Sequence, residues 1–180
     1  MNIKLYQSAL SVFGAVLLFS SWIDQQFLYS KWASSLGALT NAESVVHSYK
    51  AADSVIRAVS IAGKESPRND GDTIEKRLDT NFNRAKSFVS KFVSPTLYEE
   101  HLRAIPAPSD NGVYPVYLIR LHKQYDALHR AIATERAQIS ENKKTAEVIF
   151  LVLYVLGTTA LLGASVLKYV EAKREAAGAA

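Results

Sequence analysis

His122, Asp126 and His129, in the stretch HKQYDALHR, recur at i, i+4 and i+7, a spacing that brings side chains to one face of a helix. Imidazole and carboxylate together hold zinc and other borderline divalent cations, and a histidine beside a carboxylate also responds to protons near neutral pH. One ion can take His122 with Asp126, or Asp126 with His129. The outer two imidazoles stand about 10.5 Å apart along a helix axis, so all three on one ion would be strained.

A second helix must therefore contribute ligands. His47 lies 23 residues beyond Asp24, and His122 lies 23 residues before Thr145. On two straight helices leaving the same surface, both histidines reach a similar height of about 35 Å, with Glu43 one turn below His47. The expected divalent-metal set is Glu43, His47, His122 and Asp126. The competing readings are a pH-sensing histidine pair and a solvated helix flank with weak intrahelical pairs. The duplicated Glu-x-x-His motif of di-iron bundles is missing, and no organic cofactor is expected.

Other candidates carry less. Tyr98-Glu99-Glu100-His101 reads as a surface helix turn, Asn111-Gly112 as a turn, and Glu147 as a carboxylate at a membrane edge whose head reaches the interface beside Lys143 and Lys144. There is no Gly-rich phosphate loop, nucleophile elbow or metalloprotease motif, so the expectation is a non-enzyme. Cysteine is absent, which removes disulfides and thiolate ligands. The net charge of +4 comes from interspersed acids and bases, so nucleic acid is not an expected partner.

Two uncharged runs dominate the chain that must position these residues. LYQSALSVFGAVLLFSSWI, residues 5–23, and VIFLVLYVLGTTALLGASVL, residues 148–167, each match the length of helix needed to cross about 30 Å of hydrocarbon. The first run is long for a signal peptide and is followed by no Ala-x-Ala site, which favours an uncleaved anchor. Tyr6, Trp22 and Tyr169 stand where aromatic rings meet the interface. Ser11, Gly14 and Ala15 in the first run, and Gly157, Ala160, Gly163 and Ala164 in the second, are small enough for close helix packing.

The expected organisation is a tail of residues 1–4, a span at 5–23, a helical ectodomain at 24–145, a second span at 146–168 and a tail at 169–180. Basic residues near the membrane are balanced, with Lys4, Lys168, Lys173 and Arg174 on the tail side and Lys31, Arg136, Lys143 and Lys144 on the other. A long connection is translocated largely regardless of its charge, so the basic tails decide the orientation. Both termini are expected in the cytoplasm, the ectodomain outside, in a bacterial inner membrane.

Within the ectodomain, Leu28, Trp32, Leu36, Leu39, Ala42, Val46, Tyr49, Ala52, Ile56 and Val59 form a seam that continues the first span. Asp72 and Glu75 make a capping box for a second helix with seam Ile74, Leu78, Phe82, Ala85, Val89 and Phe92. Ser94-Pro95 opens a short third helix, which ends before the turn-rich loop 106–112. Leu118, Leu121, Tyr125, Leu128, Ile132 and Ile139 run from near Pro115 into the second span.

Since both spans leave one face of the membrane, something between Pro95 and Tyr114 must climb. The expected fold is thus an all-α membrane protein with an up-down-up-down helical bundle between two terminal spans. A bend at Ser34-Ser35-Leu36-Gly37 is the alternative. In layout the chain resembles the sensory half of bacterial chemoreceptors and is similar to the polysaccharide co-polymerases. It is much shorter than the latter and lacks their Pro- and Gly-rich second span, and only a dozen or so residues follow Leu167; neither resemblance rests on a motif, so no functional residue is carried over.

The expected function is a scaffold or accessory subunit that works through its spans and ectodomain, with lipid and a membrane protein, or further copies of itself, as partners. A sensory ectodomain binding a ligand or metal is the alternative. An oligomeric pore is disfavoured, because the spans carry no polar stripe beyond Ser and Thr.

Overall fold

The computed structural model describes residues 3–61, 74–106 and 116–178. It is all-helical, with four helices and no strand among the described residues: α1 (Ile3–Ile61), α2 (Ile74–Val89), α3 (Pro95–Ala104) and α4 (Val116–Gly178). Both α1 and α4 contain a segment long and apolar enough to cross a membrane. Asp72, the Asn111-Gly112 turn and Pro115 lie outside the described residues. The chain is organised as two units, Met1–Ala33 with Ser140–Ala180, and Ser34–Ile139, so the expected boundaries at 23/24 and 145/146 both fall inside the first. α1 passes through Ser34-Ser35-Leu36-Gly37 without a break in its helix.

In the first unit the helices run antiparallel. Gly14 and Gly157 are both buried, and a Cβ on Gly14 would lie 2.7 Å from the Gly157 carbonyl oxygen. Only glycine permits that approach, and van der Waals packing of this kind is what holds helices together in lipid. Ala164 is buried as well, Ala160, Gly163 and Ser11 are half-buried, and Ala15 is exposed. The Ser21 hydroxyl donates to the Phe150 carbonyl at 3.4 Å, and the Tyr29 hydroxyl donates to Glu147 at 2.8 Å. Glu147 is also paired with Lys143, one turn away, at 3.7 Å. Tyr6, Trp22 and Tyr169 are exposed.

The second unit holds the core. Leu39, Ala42 and Val46 of α1, Leu78, Phe82, Ala85 and Val89 of α2, Tyr98 of α3, and Leu118, Leu121, Tyr125, Leu128 and Ile132 of α4 form one buried cluster. Ridge residues at alternating three and four spacing produce such a cluster because each helix presents a single apolar stripe. The ring of Phe82 meets Tyr125 edge-on at 5.3 Å, a favoured aromatic geometry.

Two seam positions differ from expectation. Ala52 is exposed and Asp53 is buried, 1% exposed. Phe92 lies beyond α2 and is 37% exposed, while Val93 is buried. The Val93 N–H donates to the Val89 carbonyl at 3.0 Å, an α-type bond that sets Val93 one full turn beyond Val89 on the same buried stripe. Ser94 sits at the N-cap of α3 ahead of Pro95, but its hydroxyl bonds the Thr96 hydroxyl at 2.7 Å and makes no backbone cap.

α3 does not supply the expected climb. Tyr98 lines a cavity with Leu128, and His101 bonds Thr134 at 2.9 Å, so the partners of α3 advance along α4 in its own direction. Residues 107–115, between α3 and α4, lie outside the described residues.

Candidate functional site

The polar side chains of α1 and α4 in the second unit meet as a ladder of cross-helix pairs flanking the apolar seam. Arg136 donates to the Glu43 carboxylate at 2.9 Å and to the Thr40 hydroxyl at 3.3 Å. One turn along α1, the rings of His47 and His129 stand 4.7 Å apart. Beyond them the Lys50 ammonium donates to Asp126 at 3.1 Å, and Asp126 also pairs with His122 at 3.3 Å. Each residue number rises along α1 as its partner's falls along α4, so the two helices run antiparallel here.

At the far end of the ladder the polar groups turn inward. The Asp53 carboxylate accepts from the Tyr125 hydroxyl at 2.8 Å and from the Asn81 amide at 2.9 Å. A buried carboxylate is tolerated when donors replace its lost hydration, and here α2 and α4 each bring one. Leu39, Ala42, Val46, Tyr49, Asp53 and Ile56 are spaced three, four, three, four and three, so strict alternation puts Asp53 on the seam and leaves Ala52 beside it.

The expected set of Glu43, His47, His122 and Asp126 does not come together. Glu43, His47 and His129 do: one ligand atom from each lies within 4.8 Å of the others. His122 and Asp126 are one turn apart on α4 and bond each other, with Lys50 on the same carboxylate. Asp24 and Thr145 mark where polarity changes along the sequence, and nothing obliges them to stand level across the helix pair. With that reference displaced, the residue facing His47 is His129, one heptad beyond His122 and therefore on the same face of α4.

The environment of the pair is mixed. Partial burial, with His47 and Lys50 as positive neighbours, pushes His129 below the usual imidazole value, while Glu43 and Asp126 pull the other way. Its neutral form, the one that can accept a metal or a proton, is thereby favoured.

Apart from the ladder, Lys86 and Val89 of α2, Val93, Tyr98 of α3 and Leu128 of α4 line a cavity of about 340 Å³. The Lys86 ammonium lies 4.4 Å over the Tyr98 ring and 3.7 Å from Glu99. Burial, aided by the Glu99 charge, pushes the Tyr98 phenol up to about 12, so it stays a neutral hydroxyl at physiological pH. His101 contacts Thr134, and Glu147 contacts Tyr29 and Lys143, in the structural roles described above.

Comparison with protein-family models, with curated proteins and with solved structures finds no match for this chain.

Proposed function

We propose that this chain is a non-enzymatic two-span membrane protein acting as a scaffold or accessory subunit, in a larger assembly or a homo-oligomer, through its spans and its helical ectodomain. In this reading both termini are cytoplasmic and residues 24–145 are extracytoplasmic, in a bacterial inner membrane. The observation that carries it is the outward face of the first unit. Val12, Phe13, Val16 and Phe19 of α1, and Leu151, Val152, Val155 and Leu162 of α4, are each more than half exposed. A pair of helices closed at Gly14 and Gly157 leaves that surface for lipid and for another protein's spans, because water would not tolerate so much contiguous apolar area.

The test is purification of the full chain from its native membrane in mild detergent, with mass by light scattering and identification of what comes with it. A stoichiometric membrane protein, or a defined multimer, is expected. A bare monomer overturns the scaffold reading. Orientation is tested separately. The chain has no cysteine, so Ser90→Cys and Ala172→Cys each give one thiol. A membrane-impermeant maleimide should label the first in intact cells and the second only after permeabilisation.

A further inference from the structure

We propose that Glu43, His47 and His129 form a binding site for a borderline divalent cation of the zinc class, bridging α1 and α4. The ligand atoms lie within 4.8 Å of one another. Two ligands about 2.0–2.1 Å from one tetrahedral ion stand roughly 3.3 Å apart, so closing the site takes an adjustment of at most about 1.5 Å between ligand atoms. Glu43 and His47 are one turn apart on α1, the spacing that aims two side chains at one point, and His129 faces them from α4.

The surroundings are those of a ligand set with an outer shell. Arg136 bonds one carboxylate oxygen of Glu43 and fixes the group, leaving the other oxygen for an ion. His47 is exposed and Glu43 and His129 are half-buried, so water can complete the coordination. The Lys50 ammonium also acts on His129, and Asp126 holds it. With Arg136 balancing Glu43 and Lys50 balancing Asp126, the site has no excess negative charge with which to attract a hard cation. Its selectivity then rests on two imidazole nitrogens, which favour zinc, copper, nickel or cobalt over magnesium or calcium.

This inference stands apart from the scaffold reading, since it concerns the second unit and needs no partner chain. The full chain, purified in detergent without a polyhistidine tag, is titrated with Zn²⁺ at pH 7.5 and its bound metal measured after dialysis. About one Zn²⁺ per chain is expected, with a rise in melting temperature. Removing even an outer-shell group costs about 10–100-fold in affinity, so His47→Ala and His129→Ala should each weaken binding at least that much. His122→Ala should bind like the wild type. If His129→Ala fails to fold, His129→Gln and the exposed-site variant His47→Ala carry the test, with helix content checked by circular dichroism. Absence of stoichiometric zinc in the wild type, undiminished binding by His47→Ala, or a loss in His122→Ala equal to that in His129→Ala overturns the proposal.

Discussion

The imidazole of His47 on α1 faces that of His129 on α4 with ring centroids 4.7 Å apart, and the two rings are tilted by 58°. Two such groups cannot both be protonated without repulsion, and Lys50 adds a further positive charge.

A pH dependence of stability follows. The folded state lowers the His129 pKa, first through burial and then through His47 and Lys50, against the pull of Glu43 and Asp126. An unfolded chain therefore binds a proton at this position more readily than the folded one. Stability is fully present above the unfolded value of about 6.5 and falls as the pH drops below it. Melting temperature of the full chain in detergent, measured from pH 8 to pH 5, should decline through the acidic half of that range. His129→Gln should flatten the decline, and an unchanged slope would exclude this origin.

Tyr125 and Asp53 make the buried end of the same polar ladder. Tyr125→Phe keeps the ring against Phe82 and removes the hydroxyl that donates to the carboxylate. Hydrogen bonds to charged groups are worth about 1.5–3 kcal/mol, and that loss is expected here as a lowered thermal or denaturant midpoint. A change below about 0.5 kcal/mol would mean that Asp53 does not depend on this donor.

These two pairs also show what the sequence makes legible. The apolar seam of α4 from Leu118 to Ile132 is buried as its three-and-four spacing indicates, and both apolar runs are helical throughout. Asp53 was legible only by holding strictly to that alternation, because composition argues for Ala52 in the core and polarity argues against Asp53. The partner of His47 was not legible at all. Spacing defines a face of α4, on which His122 and His129 are equivalent to within a heptad, and only cross-helix packing selects between them. The path of α3 was hidden for a related reason. Parity of the chain requires a climb but does not say which residues make it.

Tyr98 supplies a test at the opposite end of the pH scale. Its phenol is pushed up to about 12 by burial and by Glu99, against about 10 in an unfolded chain. The folded state thus holds this proton more tightly, and its stabilising contribution is present below about pH 10 and lost as the pH rises from 10 towards 12. Tyr98→Phe should reduce the alkaline loss of stability. In difference absorbance near 295 nm it should remove a late-titrating phenol. Disappearance of an early-titrating phenol would contradict the burial of Tyr98 in the core.

Gly37 is exposed within α1, and a Cβ there would meet nothing within 4 Å. A glycine in a helix interior costs roughly 0.5–1 kcal/mol relative to alanine through the entropy of the unfolded chain. Gly37→Ala is expected to stabilise the protein by about that amount. Destabilisation would show that α1 needs to bend at this point.

The glycines of the first unit make the sharpest contrast. A methyl group on Gly14 would sit 2.7 Å from the Gly157 carbonyl oxygen and 2.9 Å from Leu161 Cγ. The nearer atom is backbone, so relief requires the two helices to separate. On Gly163 the nearest atom is Leu10 Cδ1 at 3.8 Å, an ordinary contact with a side chain that can adjust. Gly14→Ala should therefore cost about 1–3 kcal/mol in thermal unfolding of the full chain in detergent. Gly163→Ala should stay within about 0.5 kcal/mol of the wild type. Equal effects from the two would mean that the helices do not approach at Gly14 and Gly157. A loss confined to Gly14→Ala would locate the close approach there.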